Sequence, residues 1–297
     1  MNILVIGHSV VDKIIDNGIT SIKPGGIFYT LISFLSKIKK GDKLFLCSEI
    51  DEKFESLFID IYDKVEKEYV KKTESIPKVE LIINNNGERK ETYSHISQNL
   101  TIPKDNLKRF DGILINMISG YDISLTQLEH IRKNYNGLIY LDVHTMSRGV
   151  DKTFQRTFRR IVDFDLWAKC IDILQVNEFE LLTLSDKKEE TLIIEELFSF
   201  AISQIIVTRA ERGATVYFKD KGMTNKIHKD AVKVIPINKI GCGDVFGAVY
   251  FYNYIRNKNI LSALEEANLF AGIFTTYSKV NEFLNLKRDA DKQIGKK

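Results

Sequence analysis

Residues 238–248 read Asn238-Lys239-Ile240-Gly241-Cys242-Gly243-Asp244-Val245-Phe246-Gly247-Ala248, and a helical pattern runs on to about Arg256. Gly241 and Gly243 flank one small residue, so the backbone can turn tightly and approach a ligand closely. The first amides of a helix have no intrahelical acceptor and point outward, where the helix dipole favours an anion. Asp244 falls in that first turn. An anion cradle with a carboxylate beside it is what phosphoryl transfer calls for. The cradle stabilises charge on the moving group, and the carboxylate accepts the proton of an attacking hydroxyl. The same residues also fit a plain Gly-rich helix start in which Asp244 complements the dipole, and the stretch alone leaves both readings open.

Composition narrows the classes. A chain of 297 residues suits one large α/β domain with a small appendage. Basic and acidic residues, 43 and 40, leave a net charge of +3, too even to argue for nucleic acid, and no long basic run occurs. Cys47, Cys170 and Cys242 are scattered without a C-x-x-C pair, so neither a disulfide framework nor a zinc site is expected. His95, His130 and His228 form no spaced metal set. No apolar run reaches the ~18 residues of a membrane span, and no cationic leader precedes the first strand. The expectation is a cytoplasmic enzyme without a nucleic-acid or membrane partner.

Outward from the opening stretch, short unbroken apolar runs recur. Ile3–Ile6, Leu44–Cys47, Ile113–Asn116, Leu138–Asp142 and Asp172–Val176 read as strands buried on both faces, as in a parallel sheet. A helix over about Ser124–Asn134 lies between two of them, and strand–helix alternation implies a doubly wound sheet. Further helices are expected from Pro24-Gly25-Gly26 to about Lys37, over Asp51–Tyr62 and over Ala263–Tyr277. Lys13–Lys23, broken at Asn17-Gly18, reads as a short exposed hairpin, and Val79–Ser94 around Asn84–Gly87 as a second. Gln204–Thr208 and Ala214–Tyr217 flank a turn. The charged tail after Lys287 is expected to fray.

Asp12 follows the first strand, where open α/β sheets bind ligands. Asp142, His144 and Arg148 follow another strand end; a lone His such as His144 or His8 is more often structural than catalytic. Asn177 and Glu180 fit a helix N-cap with an acid in the first turn. Lys90 and Tyr93 lie on the second arm of the later hairpin.

The Gly241–Phe246 stretch resembles the D-T-x-G-A-G-D-x-F signature of the ribokinase-like carbohydrate kinases, the phosphofructokinase B family. Gly241, Gly243, Asp244 and Phe246 match; Cys242 stands for Ala, and Asn238-Lys239 for Asp-Thr. The resemblance extends over about Ile3 to Tyr277 with its elements in order. It implies Asp244 as catalytic base in an anion hole formed with Gly241, Cys242 and Gly243. It implies acceptor binding by Asp12 and by the Gly25, Gly26 element, where Thr30 replaces the usual Asn. Asn177 and Glu180 match an N-x-x-E element that organises magnesium and phosphate, Glu180 through water. Thr208 and Gly213 match a V-T-x-G-x-x-G turn that holds the nucleotide, with Ala210 for its first Gly. Arg209 there could add a cation to the phosphates, and Asn268 is the polar group beside an adenine backed by Ala267 and Ala271.

The expectation is therefore a single ribokinase-like α/β domain over residues 1–297. It has a mostly parallel doubly wound sheet, helices on both faces and a small β lid from about 12–24 and 79–98. The resemblance implies transfer of the γ-phosphoryl of ATP, with Mg2+, to a hydroxymethyl group of a sugar or sugar-like molecule. A nucleoside kinase of the same fold and a non-catalytic binding protein are the alternatives. No G-x-x-x-x-G-K-S/T loop and no protein-kinase motif occurs. The exposed lid edge could pair with a second copy.

Overall fold

In Ile3-Leu4-Val5-Ile6 alternate side chains enter two different cores. Ile3 and Val5 pack in one and Leu4 and Ile6 in the other, all four buried. A strand covered on both faces has no polar side to show, so its sequence is an unbroken apolar run. The computed structural model describes residues 1–16, 18–83 and 89–294.

The first half of the chain supplies β1 (Asn2–Ile6), β2 (Ser9–Asp16), β3 (Ile19–Gly26), α1 (Ile27–Lys37), β4 (Lys43–Asp51), α2 (Ile59–Tyr62), β5 (Glu66–Thr73), β6 (Lys78–Ile83), β7 (Arg89–His95), β8 (Gly112–Asn116), α3 (Leu125–Asn134) and β9 (Leu138–Asp142). The second half supplies β10 (Arg148–Val150), β11 (Arg156–Phe158), α4 (Phe164–Ala168), β12 (Ile173–Asn177), α5 (Glu178–Leu181), α6 (Glu190–Leu197), β13 (Gln204–Thr208), β14 (Ala214–Asp220), β15 (Met223–Lys229), α7 (Cys242–Asn257), α8 (Ile260–Phe274) and α9 (Leu286–Ile294).

A nine-stranded sheet runs in the order β15-β14-β13-β12-β9-β8-β1-β4-β5. Its pairs are parallel from β13 across to β5, and β14 and β15 add an antiparallel edge. Side chains of α1, α7, α8 and α9 fill the core on one face; those of α3, α4 and α6 fill the other. The fold is thus the doubly wound, mostly parallel one, and the carboxyl ends of β8, β9, β12 and β13 open on one side of it.

A separate four-stranded sheet, β3-β2-β6-β7, stands off the large one. One face carries Val10, Ile14, Val79, Leu81 and Tyr93 packed with Ile118. The other is largely open: Lys13 is exposed and Ile22, paired with it, is 45% exposed. Both expected hairpins belong to this sheet, and the first is longer than expected, running from Ser9 to Gly26. Asn17 and the 84–88 tip lie outside the described residues. A small antiparallel ribbon, β10–β11, adds to the edge at β7: the Tyr93 amide donates to the Phe154 carbonyl at 3.0 Å, and Thr92 bridges Gln155.

Two local expectations are corrected. Asp51–Tyr62 is not one helix: β4 runs to Asp51, whose carboxylate accepts from the Lys53 amide at 2.9 Å and caps a 3₁₀ stretch over Glu52–Leu57 before the short α2. The capping carboxylate ends the strand and starts a tighter helix than apolar spacing alone indicates. As far as Ile294 the tail forms α9 rather than fraying after Lys287, because Leu286 and Ala290 are fully buried against the α1/α8 core, and residues 295–297 lie outside the described residues.

Candidate active site

Asn238 sets the entry to α7. Its side-chain oxygen accepts from the Ile240 amide at 3.0 Å, an Asx-type turn, while its own amide donates to the Thr275 carbonyl at 3.0 Å. The Asn found where the resembled signature has Asp therefore still builds the turn. Gly241 caps the helix at φ 82°, and a Cβ there would lie 2.5 Å from Cγ of Tyr29. Only glycine combines that backbone with that ring.

Asp244, buried in the first turn of α7, accepts a hydrogen bond from Asn116 Nδ2 at 2.6 Å. The same Asn116 nitrogen donates to Thr30 Oγ1 at 3.2 Å. Thr30 is fully buried behind Asn116 and is not part of the cavity wall, so its expected contact with an acceptor is corrected to a supporting bond. Gln175 clamps the other side. Its Nε2 donates to Asp142 at 2.7 Å and to the Gly243 carbonyl at 3.1 Å, and Tyr140 donates to its Oε1 at 2.5 Å. Asn116 and Gln175 had no motif to mark them. Their one signal was polarity at the end of, or inside, an apolar strand.

Asp142, Gln175, Gly241, Gly243 and Asp244 line a cavity of about 630 Å3 that extends from the four-stranded sheet, past the start of α7, to α8 and the segment that follows β15. Asp142, Glu180 and Asp244 share its wall. Burial raises the Asp142 pKa well above the usual range, and the Glu180 and Asp244 charges add to that. Burial lifts Glu180 to about 7, against hydrogen bonding from Asn177 and the nearby Arg148 charge. Three acidic side chains that share one wall and repel one another favour a cation there. Among the described residues no group of three or more His, Cys, Asp or Glu forms a direct metal cage.

Asn177 and Glu180 form a reciprocal capping box on α5: Asn177 Oδ1 accepts from the Phe179 and Glu180 amides, and Glu180 Oε2 accepts from the Asn177 amide at 2.8 Å. Both residues also line the cavity. Thr208 and Gly213 line its far end with Ala210, Val232 and Ala271. Asn268 lines it too, but its amide donates to the Lys229 and Asp230 carbonyls at 3.1 and 3.4 Å, pinning the strand exit. Arg209 is corrected. Its guanidinium is held by Glu178 at 2.7 Å and by Glu190, outside the cavity wall, so its charge is spent on carboxylates rather than turned to phosphates.

At the opposite end lie Asp12 and Gly26. Gly25 packs behind Asp12: a Cβ on it would come within 2.2 Å of the carboxylate, so this backbone must be bare for Asp12 to hold its position. Glu91, His144, Arg148 and Arg156 complete this end. His144 does line the cavity, against the structural expectation for a lone His. His8 is structural, enclosed by Ser119, Asp122 and the Gln98 carbonyl. Glu91 and Arg156 were missed, because neither sits in a motif and only the docking of β11 on β7 brings them together. The Lys90 side chain lies outside the described residues.

A parallel α/β sheet with a glycine-capped helix, a carboxylate in its first turn and a two-ended cleft at the strand ends defines a small-molecule phosphotransferase scaffold. The family comparison agrees: residues 122–286 match the model of the pfkB family carbohydrate kinases, and the chain belongs to that family, phosphotransferases with an alcohol group as acceptor. A search of curated proteins finds no match. The fold is shared with Arabidopsis thaliana ribokinase complexed with ribose and ATP, 14% identical over 98% of this chain and 97% of that one, TM-score 0.76. It is shared with a pyrophosphate-dependent kinase of the ribokinase family complexed with a pyrophosphate analogue and myo-inositol, 17% identical over 98% and 99%, TM-score 0.76. It is also shared with a candidate ribokinase II from E. coli in complex with ATP and Mg2+, 17% identical over 100% and 99%, TM-score 0.77.

Proposed function

We propose that the chain transfers the γ-phosphoryl group of ATP, with Mg2+, to a hydroxymethyl group of a sugar or sugar-like molecule. The observation that carries the proposal is Asp244, buried in the first turn of α7 directly after the Gly241–Gly243 turn and oriented by Asn116. In this reading the hydroxyl oxygen forms the new bond to phosphorus, the bond to the leaving ADP oxygen breaks, and Asp244 takes the hydroxyl proton. The amides of the α7 start stabilise charge on the transferred group.

ATP supplies the phosphoryl group, and Mg2+ neutralises charge on its phosphates. The Asp142–Glu180–Asp244 wall would hold a hydrated Mg2+, with Glu180 acting through water, and the ion would offset phosphate charge. Thr208, Gly213 and Asn268 would hold the nucleotide; Asp12 and Gly26 would hold the acceptor. The whole chain acts as one domain, with the four-stranded sheet as a lid that excludes water, and the outer edge at β3 is where a second copy would pair. The neighbours with ATP, with ATP and Mg2+, and with ribose or myo-inositol support the donor and the acceptor type.

The test is a donor-consumption screen, with ATP and pyrophosphate against sugars, polyols and nucleosides. Acceptor-dependent ADP release supports the reading. Release with nucleosides alone would favour the nucleoside kinase, and consumption of neither donor with any acceptor would leave a binding protein.

A further inference from the structure

The acceptor end of the cavity holds two guanidiniums, Arg148 and Arg156, beside the carboxylates of Asp12 and Glu91. Arg148 opens β10 and Arg156 opens β11, and both line the cavity. The Arg156 side chain is only 8% exposed. Its Nη1 donates to Glu91 Oε2 at 2.6 Å and its Nη2 to the Tyr93 hydroxyl at 2.6 Å, with the guanidinium 4.3 Å from the Tyr93 ring centroid. Arg148 lies 4.8 Å from the Phe158 ring centroid, and its contact with the same Glu91 oxygen is long, 3.5 Å. Two guanidiniums therefore converge on one carboxylate oxygen. Nε of each is buried and has no hydrogen-bond partner among the described residues.

A buried donor left unmade is costly, and more so when charged. Hydroxyls of a neutral sugar can accept from Arg148 but bring no charge to a guanidinium whose contact with Glu91 is long. A carboxylate or phosphate can do both, because its oxygens match the planar fork of arginine. His144 on the same wall responds to this field: burial and the two arginine charges pull its pKa down to about 3, leaving a neutral ring.

We propose that the acceptor carries, besides the hydroxymethyl group to be phosphorylated, an anionic group, carboxylate or phosphate monoester, bound by Arg148 and Arg156. The β10–β11 ribbon is then part of the acceptor site. This rests on the kinase reading above and narrows its substrate class.

The test compares fructose, its two monophosphates, gluconate and adenosine as acceptors, by ADP release and by calorimetric binding. One of the anionic acceptors is expected to exceed fructose in kcat/KM by about 100-fold or more. The phosphate and carboxylate arms identify which anion is taken. Arg148→Met is expected to lower the anionic-to-neutral ratio by about 10-fold or more. Arg156→Lys, which keeps the charge that Glu91 needs but loses the fork, should lower it as well, with thermal unfolding confirming that each variant folds. Fructose or adenosine as best acceptor, or an unchanged ratio in Arg148→Met, overturns this proposal while the kinase reading stands. If no acceptor releases ADP, binding decides: arginine-dependent preference for the anions upholds the proposal and removes the kinase reading, and binding without that preference overturns the proposal.

Discussion

Asn116 Nδ2 meets Asp244 Oδ1 at 2.6 Å, joining the end of β8 to the start of α7 across 128 residues of sequence. The bond orients the Asp244 carboxylate at the start of the cradle.

Asp244→Asn keeps the size and loses the proton acceptor. It should leave folding and nucleotide binding nearly intact and lower turnover by roughly 10²–10⁴, the worth of a positioned base. Asn116→Ala should lower kcat by about 10-fold while changing KM less, since it disorders the base rather than the acceptor contacts. Near-wild-type turnover in Asp244→Asn removes it as the base.

The two cradle glycines should respond differently. Gly241→Ala puts a Cβ at φ 82° and 2.5 Å from the Tyr29 ring, so it should cost about 1–3 kcal/mol of stability from the backbone alone. At Gly243 a Cβ meets nothing nearer than Gln175 Nε2 at 3.9 Å. Gly243→Ala should therefore fold normally and lose activity only where a phosphate would approach. Equal melting temperatures for the two variants would contradict this account of the turn.

Cys242, half-buried in the first turn of α7, is expected to act as a small packing residue of the cradle. Cys242→Ala should keep its activity, and so should the wild type after treatment with a small thiol reagent at low occupancy. A correctly folded but inactive Cys242→Ala would assign the thiol a chemical role instead.

Much of this was legible in the sequence because it is local. The two-face burial of β1, β8 and β9 shows as apolar runs, the glycine turn and Asp244 are contiguous, and the Asn177–Glu180 box has its spacing written out. What was missed is what only packing creates. Thr30 and Asn116 meet through the register of β8 against α1. Arg209 looks like a phosphate ligand until Glu178 and Glu190 are folded onto it. Arg156 reaches the cavity only because β11 docks on β7, and nothing in its neighbourhood announces that.

Glu180 ties stability to pH. Its folded pKa of about 7 lies above the unfolded value of about 4.5, so between those limits the native state binds the extra proton. Stability should fall as pH rises through this window, and the loss is complete above the folded pKa. Glu180→Gln removes that proton uptake while retaining an acceptor for the Asn177 amide. Relative to wild type, the variant should gain on the order of 1–3 kcal/mol between pH 5 and 8, measured by denaturant unfolding without added metal. Parallel stability–pH curves for the two proteins would rule out this origin.

The four-stranded sheet should close over acceptor. Its Val10, Val79 and Leu81 side chains line the cavity, while its other face is largely open to solvent. The Tyr93–Phe154 backbone bond ties the β10–β11 ribbon to it, so sheet and ribbon should move together. A lid of this kind keeps water from the phosphoryl group until the acceptor is seated. Amide exchange should therefore slow in β2, β3, β6, β7 and the ribbon on addition of a turned-over acceptor, and slow less with nucleotide alone. Protection confined to the sheet, with the ribbon unchanged, would separate the ribbon from the lid. Exchange unaltered by every such acceptor would leave the whole sheet as fixed edge structure.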